Sequence, residues 1–388
     1  MVVLTGLEVL LSKKTELLRG RRAGLVVHPA SVNRSYRSTV DLLLGEPGVD
    51  VAAVFGPQHG LWGHTQDNMI EWEGFRDGGS GLPVYSLYAE TRKPTPEMLE
   101  GLDVMVVDLQ DVGTRVYTFA STLFLVMEAC SEAGLDVVVL DRPNPVGGAD
   151  MEGGLLDAGF RSFVGMMSTP MRHGMTMGEL AGMYRAAGGL SCGLEVVKME
   201  GWSRGQWFDG TGLPWVPPSP NMPTLDTAAV YPGMVLLEGT NVSEGRGTTR
   251  PFETVGAPWI APNELADALN GRLVGAFFRP LRFQPAFHKW AGEVCGGVQV
   301  HVTDRAAFRP VRAALFLLEE IKNRWGDHFE WKRPPYEYEY EKLPIDVIAG
   351  TDELRKALDS GGEITGLYER WVEECGEFEK SRSEFLIY

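Results

Sequence analysis

From residue 22 the chain alternates short apolar runs, rich in β-branched residues, with segments whose apolar positions recur at helical spacing. Near-continuous apolar runs set between helices are the pattern of strands buried on both faces, that is, of a parallel sheet covered by helices on each side. Strands are predicted over 23–29 (AGLVVHP), 49–56 (VDVAAVFG), 82–88 (LPVYSLY), 103–110 (DVMVVDLQ) and 135–143 (LDVVVLDRP), with helices over 37–45, 95–102, 118–134 and 176–188. Two of these helices carry start signals. Thr95 stands before Pro96 and Glu97 as an N-cap followed by a first-turn proline and an acidic residue. Thr176 precedes Glu179 by three residues, as a capping box requires. Leu7, Leu10 and Leu11 give the N-terminus the spacing of a first helix.

The periodic pattern stops at 212–223 (GLPWVPPSPNMP), where prolines fix an extended path and remove backbone donors. Beyond it the pattern changes to α+β, with a strand over 296–304, a helix over 309–325 and an aromatic-rich stretch over 331–344 (WKRPPYEYEYEKLP). The chain is therefore divided into residues 1–227, an α/β unit, and a smaller unit at 228–388. No internal repeat or low-complexity segment is present.

Composition narrows the function. With 52 acidic against 36 basic residues the net charge is −16, which gives no general attraction to nucleic acid or to an anionic membrane surface. A local basic pocket for an acidic small molecule remains compatible with it. No apolar run reaches membrane-spanning length, and the N-terminus lacks the basic segment and small-residue cleavage site of an export signal. Cys130, Cys192, Cys295 and Cys375 lie far apart, which argues against a zinc knuckle or a disulfide framework and for a reduced, cytoplasmic setting.

Polar residues gather where the predicted strands end: His28, then Gln58 and His59, Glu90, then Asp108, Gln110 and Asp111, then Asp141, Arg142 and Asn144. A parallel sheet brings such positions onto one rim, outside which α/β proteins bind ligands. The rim carries no G-x-G-x-x-G turn, Walker A sequence, G-x-S-x-G elbow or H-E-x-x-H helix, so nicotinamide redox chemistry, P-loop chemistry, serine hydrolysis and zinc proteolysis lose ground. Carboxylate and imidazole acid–base chemistry is left. Glu90 follows Tyr88 and Ala89, a partly apolar setting expected to favour the protonated carboxyl that a general acid needs. Its structural alternative is a salt bridge to Arg92 or Arg115.

Seven strings, FGPQHGLWG (55–63), SLYAETRKPTPEML (86–99), VVDLQDVGTRVYT (106–118), DRPNPVGG (141–148), PMRHGMTMGELA (170–181), PSPNMPTL (218–225) and LEGTNVSEGRGTTRPFE (237–253), together resemble the exo-β-N-acetylmuramidases of the NamZ type. The likeness runs in order over nearly the whole chain, to the closing FLIY. It implies a Rossmann-like N-terminal catalytic domain without a nucleotide cofactor, a smaller C-terminal α+β domain, and an active site in the cleft between them. It also implies release of terminal N-acetylmuramic acid from the non-reducing end of peptidoglycan fragments. The family's glutamate in its Tyr-x-Glu-Thr-Arg string falls on Glu90, the expected acid/base. The chain departs from the family at Gln58, where a glutamate is common, and at Trp62, where an arginine is common. A secretion signal, frequent in the family, is absent here.

Glycoside hydrolysis generally needs a proton donor and a second group that activates water or attacks the anomeric carbon. Asp108, Asp111 and Glu238 are candidates for that second role, and assistance by the substrate's own acetamido group is a third route. A muramic substrate carries a lactyl carboxylate, which suits a guanidinium, so Arg115, Arg172 and Arg246 are candidates to bind it. Gly245 and Gly247 flank Arg246 and would allow close backbone approach to a ligand, or simply make a tight turn. His59 and His173 are candidates to orient the acid or a hydroxyl, Tyr117, Trp62 and Trp215 to stack on a sugar, and Gln110, Asn144, Asn221, Asn241 and Ser243 to bind its polar groups. No cofactor and no metal is expected, and the partner is a small amino sugar rather than nucleic acid or membrane. Two other readings stay open: a non-catalytic acidic-sugar binding protein, and a metal-dependent hydrolase using Asp108, Asp111 and His59. Oligomeric state is not legible.

Overall fold

The computed structural model describes residues 2–67, 69–361 and 364–388. Its larger sheet contains β1 (Arg22–Val27), β2 (Asp50–Gly56), β3 (Phe75–Arg76), β4 (Pro83–Ser86), β5 (Val104–Asp108), β6 (Asp136–Leu140) and β7 (Leu194–Val197), in the order β3-β4-β2-β1-β5-β6-β7. Every neighbouring pair is parallel except the short β3 against β4. The connecting helices are α1 (Gly6–Val9), α2 (Thr39–Leu44), α3 (Pro96–Leu99), α4 (Phe119–Ala133) and α5 (Met177–Gly188).

The apolar strands read as continuous because alternate residues enter different cores. Val26, Met105, Val107, Val137 and Val139 join the core that holds Leu123 and Met127 of α4 and Leu180 of α5. Leu25, Val27, Val106, Val138 and Leu140 join the other, against Leu7 and Val9 of α1 and Leu43 of α2. This is the expected α/β sheet with helices on both faces. Two strands of this sheet were not foreseen from sequence: β3 has only two residues, and β7 is four residues long and only half-buried, too short for a pattern to stand out. The helix expected over 95–102 stops at Leu99, and Gly101 takes a left-handed φ of 71° just beyond it.

Helix α6 (Leu225–Met234) spans the division placed at 227/228 and leads into an antiparallel sheet of β8 (Thr254–Ala257), β9 (Ala276–Phe283) and β10 (Cys295–Val302), in the order β8-β10-β9, in the second unit. Helices α7 (Pro262–Asn270), α8 (Pro310–Trp325), α9 (Pro344–Ala349), α10 (Glu353–Asp359) and α11 (Ile364–Arg382) complete it. Its core is continuous with the α4/α5 side of the larger sheet.

Polar contacts also cross between the two units. Arg115 is buried and donates to the carbonyls of Gly154 and Thr169 on its own side and of Ile348 and Ala349 at the end of α9. The C-terminus returns to the larger sheet, where the Tyr388 hydroxyl donates to Asp141 at 2.7 Å and Arg382 donates to the carbonyls of Gly148 and Gly174. Because Arg115 serves four buried carbonyls, Arg115→Met should lower the unfolding free energy by about 3 kcal/mol or more, measured by urea denaturation.

Candidate active site

The rim of the larger sheet is roofed by the chain itself. His28 follows β1, and its Nε2 accepts from the Gln110 backbone N–H at 2.9 Å, so its Nδ1–H donates to the Pro218 carbonyl at 3.2 Å. The proline-rich stretch thus lies across the crevice between β1 and β5, where a Rossmann fold would hold a nucleotide. Beneath this roof the polar rim residues serve one another. Asp108 is fully buried in a two-toothed pair with Arg142, at 2.5 and 2.9 Å, and also accepts from the Thr39 hydroxyl. Asp141 accepts from Gly178 N–H and the Thr176 hydroxyl at the start of α5 as well as from Tyr388. Gln110 donates to the carbonyls of Asp111 and Pro143, and Asn144 to that of Met175. Asp111 uses one carboxylate oxygen to accept from Gly113 N–H and from His173, at 2.6 and 3.2 Å. Arg172 donates to the Val146 carbonyl and lies 3.5 Å from Asp150.

Functional density lies instead at the seam between the units. Gln58 and His59 beyond β2, Tyr117 and Thr118 at the start of α4, Ser219 and Asn221 from the proline-rich stretch, and Tyr231, Glu238, Arg246, Phe252, Tyr336 and Glu337 from the second unit line a narrow polar chamber of about 30 Å³. That is room for one or two waters. Of the sequence candidates, His59, Tyr117, Asn221, Glu238 and Arg246 line it. Asn241 and Ser243 do not: Asn241 donates to the His328 carbonyl, and the Ser243 hydroxyl accepts from Gly245 N–H. Trp62 is 63 % exposed, away from the chamber, and Trp215 packs edge-on against Phe208.

Arg246 sits between two buried carboxylates, donating to Glu238 at 2.6 Å and lying 3.4 Å from Glu244. Glu244 also takes Lys289 at 2.8 Å and faces the His288 ring at 3.2 Å. Gly245 and Gly247 both take left-handed φ, at 82° and 80°, and an added Cβ at either would stand 2.4 Å from a backbone carbonyl oxygen, of Thr254 or Phe287. These glycines therefore pack against backbone, and the turn they make delivers Arg246 inward.

The two carboxylates on the chamber wall are driven apart in acidity. Burial pushes Glu238 upward, yet the charge of Arg246 and the hydrogen bonds from Arg246 and the Tyr336 hydroxyl outweigh it and hold Glu238 below the usual carboxylate range. Burial raises Glu337, and the negative charge of Glu238 adds to this, against donation from the Tyr88 hydroxyl at 2.6 Å and the Gln58 amide at 3.1 Å. His59 donates from Nδ1 to the Thr65 carbonyl at 2.8 Å, and burial lowers its pKa to about 4, so it is neutral at neutral pH with Nε2 as acceptor.

Glu337 and Tyr336 carried no assigned role in the sequence reading. Their signal was the alternation PYEYEYE (335–341), which as a strand would put Glu337 and Glu339 on one face. The backbone instead takes left-handed φ at Glu337 (44°) and Tyr338 (68°), turning Glu337 into the chamber and Glu339 toward Lys342.

A larger open cleft of about 590 Å³ shares Glu337 with the chamber and is lined further by Arg92, Arg161, Phe163, Tyr184 and Tyr338. Glu90 lies on the loop after β4 that borders this cleft, fixed two residues before it by Tyr88 on Glu337 and two residues after it by Arg92, stacked 3.5 Å from the Tyr338 ring centroid. Glu90 itself is exposed rather than in the partly apolar setting expected from Tyr88 and Ala89, because the loop turns it outward while Tyr88 turns in; it is not among the residues lining the cleft and, among the described residues, has no hydrogen bond or ion pair. Asp108, Asp111 and His59 do not converge, and no cluster of three or more His, Cys, Asp or Glu suited to a metal occurs among the described residues. Likewise no helix among them is long and apolar enough to cross a membrane.

Comparison with known proteins gives matches along both units. The family model for the N-terminal part of the exo-β-N-acetylmuramidase NamZ matches residues 23–226, and that for its C-terminal part matches 229–388. The peptidoglycan β-N-acetylmuramidase NamZ of Bacillus subtilis is 43 % identical over 387 residues, which covers 100 % of this chain and 91 % of that protein. Two crystal structures of DUF1343 family proteins from Bacteroides fragilis share the fold. One has a TM-score of 0.90 at 35 % identity and the other 0.76 at 27 %, each covering 100 % of this chain and 99 % of its own.

The buried histidines make stability acid-sensitive. Burial lowers His28 to about 3 and His59 to about 4, from an ordinary 6.5, so both stay neutral when folded and take up protons when unfolded. Their contribution is complete above pH 6.5 and is lost as the pH falls toward those values. Between pH 7 and pH 4.5 His59 alone should cost about 2–3 kcal/mol of unfolding free energy. Urea denaturation of His59→Asn, whose side chain tolerates the left-handed φ, should show a loss over that interval smaller by about 2 kcal/mol.

Proposed function

Because the chain belongs to the exo-β-N-acetylmuramidase NamZ family, we propose that it is an exo-acting glycosidase that removes terminal N-acetylmuramic acid from the non-reducing end of peptidoglycan fragments. The observation that carries this reading is the match to a peptidoglycan β-N-acetylmuramidase along the entire chain.

Glu90 is the proton donor in this proposal. It is the sequence candidate whose carboxyl, among the described residues, has no partner, and its loop carries Arg92 into a cleft large enough for a sugar, whereas Asp108 and Asp111 are engaged in holding the rim. Glu337 is the second group. It stands on the wall between the sugar-sized cleft and the water-sized chamber, and its raised pKa suits a base that works near neutrality. Glu90 would pass its proton to the glycosidic oxygen as the C1–O bond breaks, and Glu337 would take a proton from the water that adds to C1. Glu238, ionised by Arg246, would hold Glu337 basic through its charge. In a second reading, favoured by the raised pKa of Glu337, the two residues exchange roles.

Leaving-group dependence separates these readings. A β-N-acetylmuramyl disaccharide needs its leaving oxygen protonated, whereas an aryl glycoside with a stable phenolate hardly does. Glu90→Gln should lower kcat on the disaccharide by roughly 10²–10⁴-fold and on the aryl glycoside far less. Glu337→Gln should lower both alike, with rescue by azide. The reverse pattern would exchange the roles, and no release by the wild-type protein from either muramic substrate, with or without chelator, would sink the enzymatic reading.

A further inference from the structure

We propose that the open cleft beside Glu337 holds a carboxylate-reading subsite built on Arg92 and Arg161, with the rings of Tyr338 and Phe163 as its apolar wall. Its assignment to the lactyl group of a muramic residue rests on the function proposed above. The argument starts from the charge balance of the cleft. Each carboxylate on its lining is already engaged: Glu128 accepts from the Tyr184 hydroxyl at 2.6 Å, Glu339 pairs with Lys342 at 2.9 Å, and Glu337 accepts from Tyr88 and Gln58. Arg92 and Arg161 line the same space and, among the described residues, neither is in an ion pair with a carboxylate. Among the described residues Arg92 makes no hydrogen bond at all, whereas Arg115, Arg172 and Arg246 each leave one or two guanidinium nitrogens unmet but bond through others. Arg92 lines the cleft without an internal acceptor, so its donors on the cleft side are available to an acceptor that arrives from solution.

The posture of Arg92 fits the role. Its guanidinium carbon lies 3.5 Å from the Tyr338 ring centroid and 5.8 Å from that of Phe163. Stacking on an aromatic face fixes the guanidinium plane and leaves its edge donors free, the arrangement that takes a carboxylate through two parallel hydrogen bonds. Arg115, Arg172 and Arg246, the arginines singled out from sequence, instead each hold a backbone carbonyl or a buried carboxylate, although some of their nitrogens stay unmet, and none of the three lines this cleft. Arg92 also follows Glu90 by two residues, so one loop would bring the proton donor and the group that reads the acid.

Calorimetric binding of N-acetylmuramic acid and N-acetylglucosamine to the full chain tests the subsite apart from turnover, because the two sugars differ by the lactyl group. Wild-type protein should prefer the muramic sugar. Arg92→Gln should lose on the order of 10- to 100-fold of that affinity while binding N-acetylglucosamine as before. Arg161→Gln, at an exposed position whose replacement spares the Tyr338 stack, should lose part of it. Equal wild-type affinity for both sugars, or a preference preserved in both variants, would overturn the subsite. A muramic preference lost in Arg92→Gln, in a wild-type protein that cleaves no muramic glycoside, would leave the subsite standing and remove the proposed function.

Discussion

The seam between the two units is organised by one buried cation. Arg246 has been withdrawn from water into a space that also contains Glu238 and Glu244, and a charge so placed is tolerable only if its partners are fixed around it. The left-handed turns at Gly245 and Gly247 aim it, Tyr336 braces Glu238, and Lys289 with His288 balances Glu244. The consequence reaches beyond stability. With Glu238 kept ionised, its negative charge bears on Glu337 across the chamber and adds to the effect of burial there. Two carboxylates of one chamber acquire opposite tendencies from their surroundings alone, the division that acid–base chemistry requires.

The larger sheet has the strand order of a nucleotide-binding fold and closes the crevice where a nucleotide would sit. His28 accepts from one side of that crevice and donates to the proline-rich roof on the other, while Asp108 is saturated by Arg142 and Thr39. With the switch point filled by the chain itself, polar groups become accessible only further along the edge, where the loops after β2 and β4 meet the second unit. The proline-rich stretch has a second use, since its far end supplies Ser219 and Asn221 to the chamber.

The fold was legible because strands buried on both faces leave uninterrupted apolar runs, and β1, β2, β5 and β6 are of this kind. The site was legible in part. Strand ends and the recognisable strings led to His59, Tyr117, Asn221, Glu238 and Arg246, all on the chamber wall. Residue type could not separate them from Asp108, Arg115 or Asn144, because the same side chains that bind ligands also satisfy buried carbonyls and helix starts, and only the fold assigns partners. Glu337 shows the reverse difficulty. Its place depends on two left-handed residues in a row that are neither glycine nor asparagine, for which local sequence offers no signal.

The contacts that join the units bear on how the cleft can work. A two-domain enzyme that closes on its substrate usually has a small, wet interface and a hinge that absorbs the motion. Here one apolar core runs through both units, Arg115 bonds carbonyls on each side, and the C-terminal residues reach back to Asp141 and to the loops near Gly148 and Gly174. Opening the seam would expose that core and strand the donors of Arg115 together. Discrimination between substrates must therefore come from groups already in position rather than from closure. In such a frame a stacked arginine with unmet donors and a buried ion pair that tunes a neighbour serve the same end, because both are set before the substrate arrives.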